Sequence, residues 1–325
     1  MDRVNIGLFD YDRYNTLYYF ALNTDEQIYL RYGGRDQGGQ TSQLHTDSIE
    51  LALAKGLELH ELYKAGKLAK TPKPEPLYPQ EIPALYEKTT GAGRCVECHL
   101  IGDLQNVQRE RDGTLDKLSQ MYRSPDLKTI GIELDVPKGL VIKQASGAAL
   151  KAGIKNGDRI SSFNQTTVWT FGDLQHHYDK IARDSKSIRL GVDREGEAYS
   201  FDLELPPFWW WTDLAYRNWT VEPRVYFRSK PLSDSEKAEL ELDRKGFASR
   251  VTHVETIADL MGVHSLKVGD VIFAVDDDQT DEIANRAELF IKLRRKAGEP
   301  LSLSVIRDGE RMSVDLKSAR MSFRK

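Results

Sequence analysis

The strongest constraint on this chain is that part of it is written twice. Gly139 to Ile160 carries the run Ser146-Gly147-Ala148-Ala149-Leu150-Lys151-Ala152-Gly153-Ile154-Lys155-Asn156-Gly157-Asp158. A second copy offers Phe247 to Val251, then Lys267-Val268-Gly269-Asp270-Val271-Ile272. Further on, Arg194-Glu195-Gly196-Glu197 matches Arg307-Asp308-Gly309-Glu310, and Asp202-Leu203 matches Asp315-Leu316. Each copy predicts a strand, a short helix, a Gly-Asp turn, a strand, a longer helix and a two-strand hairpin. The longer helices are expected over Phe171 to Ala182 and Ala287 to Arg295. The hairpin turns are expected at Glu195-Gly196 and Asp308-Gly309, where an acidic residue before glycine suits a tight turn.

The rest of the chain is read around that repeat. Its 325 residues suffice for two or three domains. A net charge of -4 argues against a general nucleic-acid or anionic-surface binder. No apolar run approaches the ~18 residues of a membrane span. Near the start, Thr16 to Leu22 reads as a strand, Asn23 to Glu26 as a turn, and Ile28 to Tyr32 as a second strand ended by Gly33-Gly34. A helix bearing Ile49, Leu51, Leu53, Leu57, Leu59 and Leu62 follows, with Ser48 or Asp47 as its expected N-cap. Pro72, Pro74, Pro76, Pro79 and Pro83 then mark a stiff extended linker. Pro206 to Arg217, with Trp209, Trp210 and Trp211, is expected to pack its rings against neighbouring units, since the stretch lacks the basic field that base stacking needs.

Both cysteines fall in Cys95-Val96-Glu97-Cys98-His99. Three chemistries compete there. Two thiols at this spacing can attach a c-type haem, with His99 as iron ligand and Met121 as the nearest second axial candidate. Cys95 and Cys98 can instead act as a redox dithiol. Zinc would need distant partners such as His60, His253 or His264. The alternative is a pair of inert cysteines.

The repeat resembles the PDZ domain in the arrangement of HtrA-like proteases. Ala148 to Asp158 is similar to that family's Ala-x-x-Ala-Gly-Leu-x-x-Gly-Asp signature. The second copy departs from it at Met261 to Ser265, where a longer turn is expected. The resemblance implies that a peptide or protein C-terminus binds by strand addition. In the first copy the carboxylate loop would be Thr129-Ile130-Gly131-Ile132, the receiving edge Ile132-Glu133-Leu134, and the far wall a helix bearing Leu174, His177, Tyr178 and Ile181. In the second copy the same place is read at Leu240-Glu241-Leu242, where a glutamate predicts poor carboxylate binding. No segment offers a Gly-x-Ser-x-Gly nucleophile with a placed histidine, so a protease is not expected.

Taken in order, the parts resemble a bacterial family of thioredoxin-like/PDZ domain (seleno)proteins, found notably in planctomycetes. The matching residues are Phe9-Asp10-Tyr11-Asp12, the run Arg31-Tyr32-Gly33-Gly34-Arg35-Asp36, Cys95 to His99, and the unit starting near Ile130-Gly131. That family often has a histidine where this chain has Glu97. The resemblance implies an α+β multidomain chain: a partial thioredoxin-like ββα unit (1–66), a Pro-rich linker with the CxxCH segment (67–126), a first PDZ-like domain (127–205), an aromatic linker (206–235) and a degenerate second one (236–325). It also implies that the redox residues of the thioredoxin unit stand upstream, with Met1 a late start. As written the chain has no signal peptide and reads as cytoplasmic; an upstream start would make it exported. The expected function is peptide binding linked to redox chemistry. Dithiol oxidoreduction and a plain scaffold are the alternatives.

Overall fold

The computed structural model describes residues 1, 3–15, 17–39, 41–211, 220–256 and 265–320. It divides into two compact units, residues 1–215 and 216–325. The architecture is mixed α and β, with several sheets. Among the described residues no helix is long and apolar enough to cross a membrane.

The first unit opens with an antiparallel hairpin, β1 (Tyr18–Leu22) and β2 (Ile28–Gly33), with Tyr19 opposite Tyr32. Helix α1 (Thr46–Lys64) buries Ala52 and Leu59 against Leu30 and Tyr32. Its cap is neither Ser48 nor Asp47 but His45, whose Nδ1 accepts from Asp47 N at 3.2 Å. Ser48 is buried inside the first turn, its hydroxyl 2.9 Å from the Tyr32 hydroxyl. Leu51, Leu53 and Leu57 lie on the exposed side of α1.

The Pro-rich stretch is exposed and extended up to Leu77, yet it is tied down rather than free. Thr71 N donates to Gln27 Oε1 at 2.7 Å, and Ile6 N to Leu77 O at 2.8 Å. Beyond it, residues expected as linker form α2 (Pro83–Lys88), α3 (Cys98–Arg111) and α4 (Lys117–Gln120). Proline at the first turn of α2 starts a helix instead of preventing one. Leu85 and Ile101 are fully buried there.

The first repeat follows as β3 (Ile132–Leu134), β4 (Ile142–Ala145), α5 (Gly147–Ala152), β5 (Arg159–Phe163), β6 (Thr166–Thr167), α6 (Phe171–Asp179), β7 (Ser187–Arg194) and β8 (Glu197–Glu204). β3 pairs with β4, and a second sheet runs β6-β5-β7-β8. A bridge between Val141 and Arg159 and the bond from Ile142 N to Asp158 O (2.8 Å) tie β4 to β5. The core gathers Ile132, Ile142, Ile160, Phe163, Leu174, Tyr178, Leu190 and Leu203.

The second unit comprises β9 (Phe227–Pro231), α7 (Asp234–Glu239), β10 (Ser249–Val254), β11 (Val271–Val275), α8 (Ala287–Arg294), β12 (Pro300–Arg307) and β13 (Glu310–Lys317), with α7 between its first two strands where the first repeat has the 3-10 turn Val136–Lys138. Its sheet runs β13-β12-β11-β10-β9. Both hairpin turns sit where expected, with φ of 56° and 88° at Glu195-Gly196 and 52° and 86° at Asp308-Gly309. The edge strand does not sit where expected. Leu240 caps α7 and Glu241 is a turn residue with φ of 52°. Phe227–Pro231 takes the edge, inside the stretch read as an aromatic linker. The bond from Glu255 N to Tyr226 O (2.9 Å) is the counterpart of that from Ser146 N to Gly131 O (2.8 Å), which fixes the equivalence. The expected longer turn at Met261 to Ser265 falls mostly outside the described residues, as does Trp219.

Candidate functional site: the groove between β3 and α6

In the first repeat a cavity lies beside β3, and residues of the loop after β2 help to line it. β3 pairs with β4 on one side and with no strand on the other among the described residues. Its entry is a 3-10 turn, Leu127–Ile130, closed by Gly131 with φ of 84°. Only glycine fits there, because a Cβ would meet Ser146 O at 2.0 Å. Ile132 and Leu134 from β3, with Leu127, Val136 and Phe171, line a cavity of about 170 Å³. Its polar side is made by Asp36, Ser42, Gln43 and Lys128.

Asp36, Ser42 and Gln43 come from the loop after β2. Two contacts seat that loop on the repeat. The Gln175 amide donates to Arg35 O at 2.7 Å, and Gln37 N donates to Asp126 Oδ2 at 3.1 Å. β2 itself lies along the start of α6. Arg31 N donates to Asp173 Oδ1 at 2.9 Å, the Thr170 hydroxyl donates to Arg31 O, and the Tyr18 hydroxyl donates to Gly172 O at 2.9 Å. Gly172 permits this approach, since a Cβ would stand 2.7 Å from Arg31 O. Inside the loop, Asp36 accepts from Gly38 N at 2.7 Å and Gln43 Nε2 at 3.0 Å, and lies 3.5 Å from Lys128 Nζ. Burial opposes its ionisation, but the bonds from Ser42 and Gly38 and the Lys128 charge outweigh that, so its carboxyl sits below the usual range. Burial instead holds the Asp126 carboxyl above it.

The ten residues expected at the groove do not all meet there. Ile132 and Leu134 face the cavity. Ile130 and Leu174 are wholly buried core residues. The carboxylate cradle is not open: Thr129 N donates to Asp126 O at 3.0 Å and Gly131 N to Lys128 O at 3.1 Å. The Thr129 hydroxyl donates to Trp209 O at 3.0 Å, and the Trp209 ring stacks on Tyr178 with centroids 5.1 Å apart. Trp209 therefore packs over that end. Glu133 is partly exposed and paired with Lys143 at 2.7 Å. His177 lines a different cleft, and Ile181 lies beyond the end of α6. Sequence reasoning missed Asp36, Lys128, Phe171, Gln175 and Trp209. Arg35-Asp36 was legible only as part of a family motif, not as a groove residue.

In the second unit the equivalent strand is closed by a side chain. Glu288 of α8 accepts from Ser229 N at 3.1 Å and from the Ser229 hydroxyl. Tyr226, with φ of 54°, occupies the place of Gly131.

Cys98 is the first residue of α3, and both thiols are free. Cys95 is exposed, whereas Cys98 Sγ lies 3.1 Å from Met1 Sδ. His99 Nε2 lies 3.2 Å from Glu97 Oε2, with 47% of the side chain exposed. Of the histidines weighed for zinc, His60 Nδ1 is bound to the Tyr29 hydroxyl at 2.9 Å and His264 lies outside the described residues. No cluster of three ligating side chains occurs among the described residues.

No family model matches this chain. Over 76 residues it is 37% identical to the periplasmic serine endoprotease DegP of Salmonella typhimurium, a stretch that is 23% of this chain and 16% of that protein. The chain thus spans well under a fifth of the relative it matches. Solved structures of the HtrA-type protease AlgW are similar too. The one with decapeptide is 13% identical with a TM-score of 0.26, covering 51% of this chain and 56% of that one. The one with tripeptide is 14% identical with a TM-score of 0.28, covering 51% and 60%. The chain therefore has a distant, partial similarity to HtrA-type proteases.

Proposed function

We propose that the two repeats are PDZ-like units, residues 127–205 and 220–320, and that the first binds an extended peptide or protein C-terminus along β3. The observation that carries this is the cavity of about 170 Å³ beside the unpaired edge of β3, walled by Ile132, Leu134 and Phe171. It suits one aliphatic side chain, while the strand edge supplies backbone hydrogen bonds. Lys128 at its mouth suits a terminal carboxylate, because the loop amides are already committed. The distant HtrA-type similarity supports the same reading.

On this reading the loop Gly34 to Gln43 is a gate. Asp36 offers Lys128 a carboxylate in the place a peptide end would take. Binding then requires the gate to leave, and the apparent affinity is scaled by the open fraction. The ββα unit of residues 1–66 acts as the frame that holds the gate, whatever its ancestry. No catalytic group is assigned.

The test is fluorescence anisotropy of labelled peptides ending in an aliphatic residue, on the full chain and on Gln175→Ala. Loss of the Gln175 bond to Arg35 should raise affinity about tenfold by populating the open gate. Lys128→Glu should abolish the preference for a free C-terminus. Equal, non-saturable binding by all three proteins would overturn the proposal.

A further inference from the structure

A second cleft in the same unit, of about 670 Å³, lies between the β1–β2 hairpin, the Thr71 to Pro74 strap and the outer face of α6. It is lined by Arg31, Trp169, Asp173, His176, His177 and Lys180 among others. We infer that this cleft is a binding site for a small oxyanion, a carboxylate or phosphate group on a small molecule, with Arg31 as its fork and His176 and His177 as flanking donors.

The argument is an account of hydrogen-bonding partners. The carboxylates facing the cleft are satisfied. Asp10 pairs with Arg123 and Lys180, and Glu26 with Lys73. Asp173 accepts from Arg31 N and Trp169 N. The donors are not. The Arg31 guanidinium makes no hydrogen bond among the described residues, although its side chain is only 19% exposed. Its nearest carboxylate oxygen, Asp173 Oδ1, is 3.6 Å away. The imidazoles of His176 and His177, with ring centroids 5.4 Å apart, have no hydrogen-bond partner among the described residues either. Burial, Arg31 and Lys180 all disfavour a proton on His176, with Asp10 opposing weakly. A guanidinium that makes only this long ion-pair contact to Asp173, with Nε buried and without a hydrogen-bond partner among the described residues, is the side chain best shaped for a carboxylate or phosphate. Trp169, 40% exposed, gives the cleft an apolar wall for the body of the molecule.

The experiment titrates the full chain with inorganic phosphate, and separately with acetate, at fixed ionic strength, following the His176 and His177 ring resonances by NMR. Saturable shifts are expected with one of the two probes, and the stronger probe identifies the anion class. The bound anion should raise the pKa of both imidazoles. Arg31→Gln should weaken binding at least about tenfold, the scale of one charged hydrogen-bonding group. Should Arg31→Gln fail to fold, His177→Gln on the cleft wall is read instead and should weaken binding by a smaller factor. Shifts that never saturate, that chloride reproduces, or that survive unchanged in both variants would overturn the inference. The outcome is independent of peptide binding at β3, which the anisotropy assay reads separately.

Discussion

The Asp158 carboxylate takes both arms of the Arg194 guanidinium, at 2.7 Å from Nε and 2.8 Å from Nη2. Asp270 and Arg307 repeat this at 2.8 and 2.7 Å. In each copy the aspartate also accepts a backbone N–H from the start of its turn, Lys155 N at 2.8 Å and Lys267 N at 2.7 Å. The Gly-Asp turn and the hairpin arginine are thus one device used twice. Asp158 is 1% exposed, so losing it strands a guanidinium and an amide at once. Asp158→Ala should lower the unfolding free energy of the first unit by ~1–3 kcal/mol, the usual cost of losing hydrogen bonds to a charged group. Asp270→Ala should do the same to the second. Urea denaturation of each variant checks this. The Asp158 carboxyl is held below its ordinary value, burial opposing and the Arg194 bonds prevailing. Its contribution is therefore present above the ordinary carboxylate range and fades as pH falls through the lowered value.

Gly131 and Tyr226 hold equivalent places with opposite chemistry. Gly131→Ala meets both a left-handed φ of 84° and the Ser146 carbonyl, so a loss above about 1 kcal/mol is expected. The measurement is the denaturation midpoint of the full chain. A change below a few tenths of a kcal/mol would mean the loop relaxes freely.

The repeat was legible because its signals are local. Gly-Asp turns, acidic-Gly hairpins and an apolar helix face are each fixed by neighbours in sequence, and Arg194 with Asp158 could be paired through the copy. The covering of the groove was not legible. It depends on Gln175 meeting Arg35 and on Asp126 meeting Gln37, contacts between polar residues that carry no periodic pattern. The second edge strand was misplaced for a related reason. Leu240-Glu241-Leu242 alternates like a strand, but Ser233 and Glu236 form a capping box that starts a helix just before it. Likewise, Pro83, which read as linker, is a first-turn residue of α2.

Asp179 should be the most costly carboxylate to remove from the first unit. It accepts from Arg123 Nε at 2.8 Å, Arg183 Nη2 at 3.0 Å and Ser124 N at 3.1 Å, and is 8% exposed. Arg123 passes on to Asp10 at 3.0 Å, so the network ties the amino-terminal segment to the end of α6. Asp179→Ala leaves two guanidinia without their shared anion, for which about 3–5 kcal/mol is the expected cost. Thermal unfolding of the variant, with Asp202→Ala on the exposed Arg189 pair as the control, decides it. The control should be close to neutral.

Exposure predicts the order of thiol modification. Cys95 is exposed, while Cys98 starts α3 beside Met1. Iodoacetamide followed by peptide mass spectrometry should find Cys95 labelled first under native conditions, and both labelled at equal rates in urea. Faster labelling of Cys98 in the folded chain would show a reactive thiol there and favour the dithiol reading.

His176 gives the last prediction, and its sign can be worked through. Burial, with the Arg31 and Lys180 charges, pushes its pKa down from 6.5 to about 3. Above pH 6.5 neither the folded nor the unfolded chain carries that proton. Between 6.5 and about 3 the unfolded chain takes it up and the folded chain does not. Stability should therefore fall as pH falls, by at most about 1.4 kcal/mol per pH unit from this group. Asp173 acts in the opposite sense. Burial raises its pKa from 3.8 to about 6, so within that window its folded form holds a proton the unfolded form has lost, and stability falls as pH rises. The two effects overlap, which is why a wild-type pH profile alone is not diagnostic. The difference between wild type and His176→Gln isolates the imidazole. That difference should be flat above pH 6.5 and should move in favour of His176→Gln at each step below it. Parallel profiles down to pH 4 would show that His176 titrates normally, placing it in water rather than between the two cations.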